Sequence, residues 1–416
     1  MLREVETLKA CDHKNIIRLL SSFTAGRYPY PLLPPEPQGT EGQSSESQQD
    51  EYLYLLFPKA DGNMKDYMNR NNSRMFRDRD EFRRYLYASM QQLASALAYI
   101  HREKEDGKHA FHHDLKPANI LQSREGSKGS NRPTWLLCDF GYANLKSRDE
   151  DSGTLRVPAT YRYRPPECYV QDSRKGHGRA YDVWSLGCVF LELATLAAYE
   201  HGPDKLENFR KMRLDNKSDL NNTSVPSEED DSFFNNWQIV EQWINTLPKP
   251  KSDTLFAQVR KLILEMLERE RAYRVFAWEI ELDLYCALEN LSEALIKAKL
   301  KECVRFSKPK EPLSGSERQH NPFVRARKNG RPEWWLKILE EAGWNDYSTK
   351  LSRLQNGEPP PSEQGPGSVN KYYSTLTQVF QDDDSRLHGR LQLYGEIVIA
   401  FSNHHRVGLH GFWGIG

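Results

Sequence analysis

The 416-residue sequence has no excess of either charge: 58 Lys and Arg balance 58 Asp and Glu, for a formal net charge of zero. That removes the electrostatic case for nucleic acid or an anionic membrane surface as the principal partner. Cysteine is scarce, and the six residues at 11, 138, 168, 188, 286 and 303 make no Cys-x-x-Cys pair and no zinc-type spacing. Reduced structural thiols are expected, not a disulfide framework or a metal cage. Long apolar runs are missing too. The longest, residues 186–198, falls short of a bilayer span and is interrupted by Glu192, while Met1 opens directly into a charged helical pattern without an apolar signal region. A cytoplasmic or nuclear protein is the expectation. The length allows two or three domains and ample chain to bury a core.

What is present instead is a dense polar loop, Phe111-His112-His113-Asp114-Leu115-Lys116-Pro117-Ala118-Asn119-Ile120-Leu121. It sets an acid, a base and an amide at fixed offsets. Its His-x-Asp-x-Lys-x-x-Asn pattern resembles the catalytic loop of protein kinases, and the resemblance implies phosphoryl transfer, which needs a carboxylate to orient an attacking hydroxyl, a cation beside the transferred group and an oxygen ligand for a divalent metal. Farther on, Leu136-Leu137-Cys138-Asp139-Phe140-Gly141 reads as a strand ending in Asp-Phe-Gly. Residues 158–167, Pro-Ala-Thr-Tyr-Arg-Tyr-Arg-Pro-Pro-Glu, follow; then Asp182 opens an apolar helix, and Arg274 sits in a charged turn. The order and spacing of these stretches resemble the protein kinase family, with Pro-Pro-Glu in place of the usual Ala-Pro-Glu.

The resemblance implies an α+β, two-lobed fold with a mainly helical large lobe, ATP and Mg2+ as cofactors, and a protein substrate. Asp114 is then the catalytic base, Lys116 meets the γ-phosphate, and Asn119 and Asp139 hold Mg2+. His112, Phe140 and Gly141 support that loop, Asp182 braces its backbone, Thr160 belongs to the substrate-docking segment, and Glu167 forms a buried ion pair with Arg274. Leu56 takes the gatekeeper position. Phe57 and Lys59 would offer main-chain groups to adenine, with Leu121 also at the nucleotide, and Pro58 falls where no amide is needed. Glu4 matches the helix glutamate that normally pairs with a strand lysine. Lys116 two residues after Asp114, with Thr160 in the docking loop, is the serine/threonine pattern.

Two departures from the family stand out. Only Met1, Leu2 and Arg3 precede Glu4, so on this resemblance the glycine-rich strand pair and the lysine strand are expected to be missing from this chain. A small lobe truncated to two strands is expected, and a kinase-like scaffold or binding module stays open beside the enzyme reading. His113 stands where the family usually has an arginine that grips a phosphorylated activation loop. The expectation is activity without activation-loop phosphorylation, and a His113 that either titrates near neutrality or is simply packed and hydrogen-bonded.

Residues 1–60 read as the partial small lobe, with a low-complexity insert at 28–50 expected to be disordered, 61–300 as the large lobe, and 301–416 as a partly disordered C-terminal extension. Residues 2–10 read as a helix and 11–20 as the strand after it. Apolar periodicity predicts a short helix over 64–72 and a long one over 81–102 that turns Phe82, Tyr85, Leu86, Met90, Leu93, Leu97 and Ile100 inward. Residues 123–133 lengthen a hairpin tip, 199–250 read as a helix plus a long acidic loop, and 254–267 and 277–300 as helices. Beyond them, 307–330 is basic and irregular, and 332–354 is an amphipathic helix whose Trp334, Trp335 and Trp344 dock on the lobe or a partner. Residues 357–370 form a Pro-rich linker, and 391–401 have strand character.

Overall fold

The computed structural model describes residues 2–9, 11–26, 51–70, 72–102, 109–124, 132–140, 144–146, 161–168, 178–216, 230–248, 254–307, 322–328 and 330–344. In chain order its elements are α1 (Leu2–Lys9), β1 (Ser21–Gly26), β2 (Glu51–Leu56), β3 (Gly62–Asn63), α2 (Met64–Met68), α3 (Arg79–His101), β4 (His109–Phe111), β5 (Ile120–Ser123), β6 (Thr134–Leu137) and β7 (Asn144–Lys146). Then come α4 (Arg179–Ala198), α5 (Gly202–Leu214), α6 (Trp237–Thr246), α7 (Thr254–Met266), α8 (Ala277–Glu289), α9 (Glu293–Ser307), α10 (Pro322–Lys328) and α11 (Glu333–Glu341). The chain divides into two units, Met1–Ser22 with Leu55–Ser352 and Phe23–Tyr54 with Arg353–Gly416. In the second, the described residues belong to β1 and β2, where Phe23 stacks on Tyr54 with ring centroids 5.1 Å apart.

The first unit is built around two helices. Asp78 caps α3, accepting from the Glu81 amide at 2.8 Å, and the Glu81 side chain takes the Arg77 amide at 2.6 Å. This reciprocal closure starts the helix two residues before the expected point. Its inward face buries Phe82, Leu86, Met90, Leu93, Leu97 and Ile100 as the periodicity requires, while Tyr85 is half-buried and donates to the Pro133 carbonyl. Helix α4 is apolar on every side, and residues 181–197 are all buried. By length and composition α4 could cross a membrane, but here the whole apolar window is enclosed by protein. At Gly187 a Cβ would lie 3.0 Å from Met266 and Leu267, so its absence lets α7 pack directly on α4.

Three short antiparallel strands sit in the order β3-β5-β6, with Asn63 opposite Leu121 and Ile120 opposite Leu137. β4 pairs with β7, and β1 with β2. Residues 11–20 differ from expectation. Ile16 forms a single parallel bridge to Leu137, the Ile17 amide donates to the Leu137 carbonyl and the Leu137 amide to the Asn15 carbonyl, each at 2.9 Å. The edge of β6 takes up these backbone groups, and the strand begins only at Ser21. The described residues of the small-lobe region thus contribute α1 and one two-stranded sheet.

Other boundaries shift for local reasons. The expected helix over 277–300 breaks at Asn290, whose left-handed φ of 48° ends α8. The 199–250 region holds two helices, α5 and α6, on either side of residues outside the described set. Helix α10 lies in the basic stretch read as irregular, with Pro322 at its first position. Helix α11 stops before Gly343, at φ 81°, well short of residue 354. Helices α8 to α11 enclose a second apolar cluster of Trp278, Leu282, Leu300, Val304, Ala326, Trp335, Ile338, Leu339 and Trp344. Ion pairs Arg325–Glu279 and Arg331–Asp283 tie the C-terminal helices to α8. The expectations for 28–50, 357–370 and 391–401 lie outside the described residues.

Candidate active site

The loop after β4 carries the polar triad. Asp114 is buried; its Oδ2 accepts from Lys116 Nζ at 2.5 Å and from Asn119 Nδ2 at 2.9 Å. Asn119 Nδ2 also reaches the Asp114 carbonyl at 2.9 Å. Pro117 opens a 3-10 turn over Pro117–Asn119 that swings Asn119 back onto Asp114, so an offset of five residues becomes direct contact. The structure therefore brings Asp114, Lys116 and Asn119 together.

Asp182, in the first turn of α4 and fully buried, holds this loop by its backbone. Its Oδ2 accepts from the His112 amide at 2.8 Å and from His101 Nε2 at 2.9 Å, and its Oδ1 accepts from the His113 amide at 2.7 Å. Burial opposes the charge, yet the His101 hydrogen bond and the neighbouring imidazoles outweigh it and hold the carboxyl down at about 2. Burial lowers His101 against the pull of Asp182, to which its Nε2 is hydrogen-bonded. His113 takes a left-handed φ of 64°, a conformation that costs about 1–2 kcal/mol. Asp182 and the rings of Phe111 and Tyr181, at 5.4 and 5.5 Å, fix it there.

His112 links the loop to the Asp-Phe-Gly segment. Its Nε2 donates to the Cys138 carbonyl at 2.9 Å, its Nδ1 accepts from the Asp114 amide at 3.4 Å, and burial lowers its proton affinity, all consistent with one neutral tautomer. Phe140 is fully buried with its ring 4.9 Å from that of His112. Cys138 donates from its amide at 3.0 Å and its thiol at 3.3 Å to the Asn119 carbonyl, and burial pushes that thiol up to about 12. Asp139, next in sequence, is exposed at a left-handed φ of 65°. The Asn119 amide nitrogen is committed to Asp114, which leaves Oδ1 for a cation. One amide oxygen and one exposed carboxylate on backbones tied by Cys138 fit Mg2+, which prefers few protein oxygens plus phosphate and water. No cluster of three or more His, Cys, Asp or Glu suited to a metal occurs among the described residues.

Among the residues expected to meet a nucleotide, Leu56 closes β2 and its carbonyl accepts from the Leu20 amide at 2.8 Å. Phe57 is half-buried against the core and Lys59 is exposed. The chain then turns back onto β5: the Asp61 amide donates to the Gln122 carbonyl at 2.8 Å, and Asn63 lies opposite Leu121. The segment following Lys59 and the strand following Asn119 are thereby one sheet, with Leu121 at their junction. The side chain of Glu4, on α1, and all of Gly141 and Thr160 lie outside the described residues.

The ion pair expected between Glu167 and Arg274 is formed, and it is bidentate at 2.6 and 2.7 Å. The remaining Arg274 donors reach the carbonyls of Glu268, Ala180 and Arg269, and its guanidinium lies 5.0 Å above the Trp184 ring. Sequence reasoning missed His101 and the contact of Tyr163 with Glu192. The Tyr163 hydroxyl donates to that carboxylate, 3.2 Å from each oxygen, and burial pushes Glu192 up to about 7 against the pull of Arg213 and Arg162. A glutamate inside an otherwise apolar helix was the available signal, since an ionisable group in that setting needs a partner.

A family model described as "Protein kinase domain" matches residues 1–285. The chain is 28% identical over 211 residues to cyclin-dependent kinase C-2 of Oryza sativa subsp. japonica, covering 51% of this chain and 36% of that protein. It is 26% identical over 275 residues to cyclin-dependent kinase C-1 of the same plant, 64% and 45% of the two chains. With mitogen-activated protein kinase 6 of Arabidopsis thaliana it shares 25% identity over 271 residues, 64% and 56% of the two chains. The match spans between a third and somewhat over half of these relatives' own lengths.

Proposed function

Because this chain belongs to the eukaryotic-type protein kinase family, we propose that it transfers the γ-phosphoryl group of ATP to serine or threonine hydroxyls of proteins. The observation that carries this reading is the convergence of Asp114, Lys116 and Asn119 on a loop braced by Asp182. Asp114 Oδ2 is placed to orient the attacking hydroxyl and to take its proton as the oxygen–phosphorus bond forms and ADP leaves. Lys116, now paired with Asp114, supplies the cation that would swing to the transferred phosphate. Asn119 Oδ1 and the Asp139 carboxylate would hold Mg2+, whose chemistry is to offset charge on the phosphate oxygens. Phe57 and Lys59 would offer main-chain groups to adenine, with Leu56 and Leu121 beside them.

Buried Asp114 keeps bulk water from its carboxylate, and the backbone bonds from Asp182 fix it in place before substrate arrives. Activity is further proposed to be independent of activation-loop phosphorylation. His113, enclosed by Phe111 and Tyr181, occupies the position from which the family's arginine would reach for a phosphate. Incubation with Mg·ATP and casein, followed by mass-spectrometric site mapping, is the test. Phosphoserine and phosphothreonine that depend on Mg2+ and survive prior phosphatase treatment of the enzyme are expected. Transfer to tyrosine alone, or loss of activity on phosphatase treatment, contradicts the corresponding part.

A further inference from the structure

Residues 230–236, at the end of the stretch that reads as a long acidic loop, touch all three residues of the turn Tyr161–Tyr163. The Tyr161 hydroxyl donates to Asp230 Oδ2 at 3.2 Å and accepts from Asn235 Nδ2 at 2.6 Å. Asp231 Oδ2 pairs with Arg162 and also accepts from Arg210 Nε at 2.9 Å. The Phe233 amide donates to the Arg162 carbonyl at 3.1 Å, and its ring lies 5.7 Å from that of Tyr163. A surface acidic run would make none of these bonds.

The segment is also bonded to itself. Asp230 Oδ1 accepts from the Ser232 amide at 2.9 Å, and Asn236 Nδ2 donates to the carbonyls of Asp230 and Ser232 at 3.1 and 2.9 Å. Asp231, Ser232, Phe233 and Asn236 are buried although the stretch is polar. Beneath it, the guanidinium of buried Arg213 is sandwiched between the rings of Phe209 and Phe233, at 4.1 and 4.2 Å, and its Nε donates to the Asp231 carbonyl at 2.9 Å. A rigid brace from α5 therefore ends on the docking loop, and Asp231 is where its charges meet: one carboxylate takes two guanidinium groups, Arg162 from the loop and Arg210 from α5.

We propose that residues 230–236 are a clamp that sets the substrate-accepting shape of residues 161–163, with Asp231 as a positioning residue for the protein substrate. It rests on the reading that this turn meets that substrate. Asp231 bonds to Arg162, Arg210 and Arg213 and not to the Asp114, Lys116 and Asn119 group. Loosening it leaves ATP binding intact and weakens capture of the acceptor protein.

The test combines hydrogen exchange with steady-state kinetics on the full chain and its Asp231→Asn variant. In a variant that still unfolds cooperatively, exchange in 161–168 should accelerate about tenfold, with α4 unchanged. The KM for casein should rise by a similar factor while the affinity for ATP stays constant. Should Asp231→Asn not fold, Asn235→Ala removes the Tyr161 contact without touching the buried carboxylate and should move the same readouts in the same direction. Unchanged exchange in 161–168 would overturn the clamp, as would faster exchange with an unchanged KM. Failure of the wild-type chain to phosphorylate casein would count against the kinase reading alone, since the exchange measurement needs no turnover.

Discussion

Arg274 grips both carboxylate oxygens of Glu167 across 107 residues of sequence, and its other N–H groups end on backbone carbonyls. A fully satisfied, buried guanidinium is a cross-link between the Pro166–Cys168 turn and the turn before α8. Arg274→Ala, which strands Glu167 and three carbonyls, should cost about 3–5 kcal/mol. Arg274→Lys, which keeps the charge but loses the fork, should recover only part of this. Urea unfolding of both variants checks it; equal stability of the Lys variant and wild type would mean that the fork contributes nothing.

Asp182 concentrates three hydrogen bonds on one carboxylate. Asn at this position keeps the shape but offers one acceptor oxygen, so the backbone amide of His112 or His113 loses its partner. Destabilisation of roughly 1–3 kcal/mol is expected, together with a fall in kcat at unchanged ATP affinity. A variant with wild-type kcat would show that the loop holds its geometry without this brace.

Glu192 gives stability a pH dependence of definite sign. Its carboxyl moves from about 4.5 in the unfolded chain to about 7 when folded. Between those values the folded state keeps a proton that the unfolded state has released. Stability from this group is therefore present at pH 4.5, declines as pH rises, and is lost above 7, by roughly 3 kcal/mol in all. Glu192→Gln retains an acceptor for Tyr163 and removes the titration. The unfolding free energies of the two proteins at pH 5 and pH 8 should diverge accordingly, with the variant relatively more stable at pH 8; parallel pH curves would refute the assignment.

The C-terminal helices complete a core on α8. Trp335 and Trp344 are buried beside Trp278 and Leu339, so Trp344→Ala should cost about 3–5 kcal/mol. A chain ending at Ser307 would expose Trp278, Leu282 and Leu300 and is expected to self-associate during size-exclusion chromatography. A monomeric shortened chain with an unaltered melting temperature would show that this cluster is dispensable.

Much of the site could be read from the sequence because its chemistry is local. Asp114, Lys116 and Asn119 lie within six residues, and one 3-10 turn converts their spacing into contact. The long helix α3 was equally legible from its apolar period. Features that depend on distant partners were not. Asp230 and Asp231 read only as part of a long acidic loop, since their partners Tyr161 and Arg162 lie 69 residues away in sequence. His101 ends a core helix and gives no sign that Asp182 will receive it. Ile16 and Ile17 have strand character, but the edge of β6 holds them at a single bridge. Helix α10 is short and basic, and its place is set by distant partners, Arg325 pairing with Glu279 of α8 and Ala326 joining the cluster around Trp278.

Replacing Asp114 with Asn and comparing Mg2+-dependent phosphoryl transfer to casein with that of the wild-type chain tests the central claim most directly. The substitution keeps size and polarity, so matching thermal midpoints would show that both chains are folded. The proposed role of Asp114 as proton acceptor predicts measurable transfer by wild type and a loss of at least about a hundredfold in the variant. Equal rates, or no transfer by either folded chain, would contradict it.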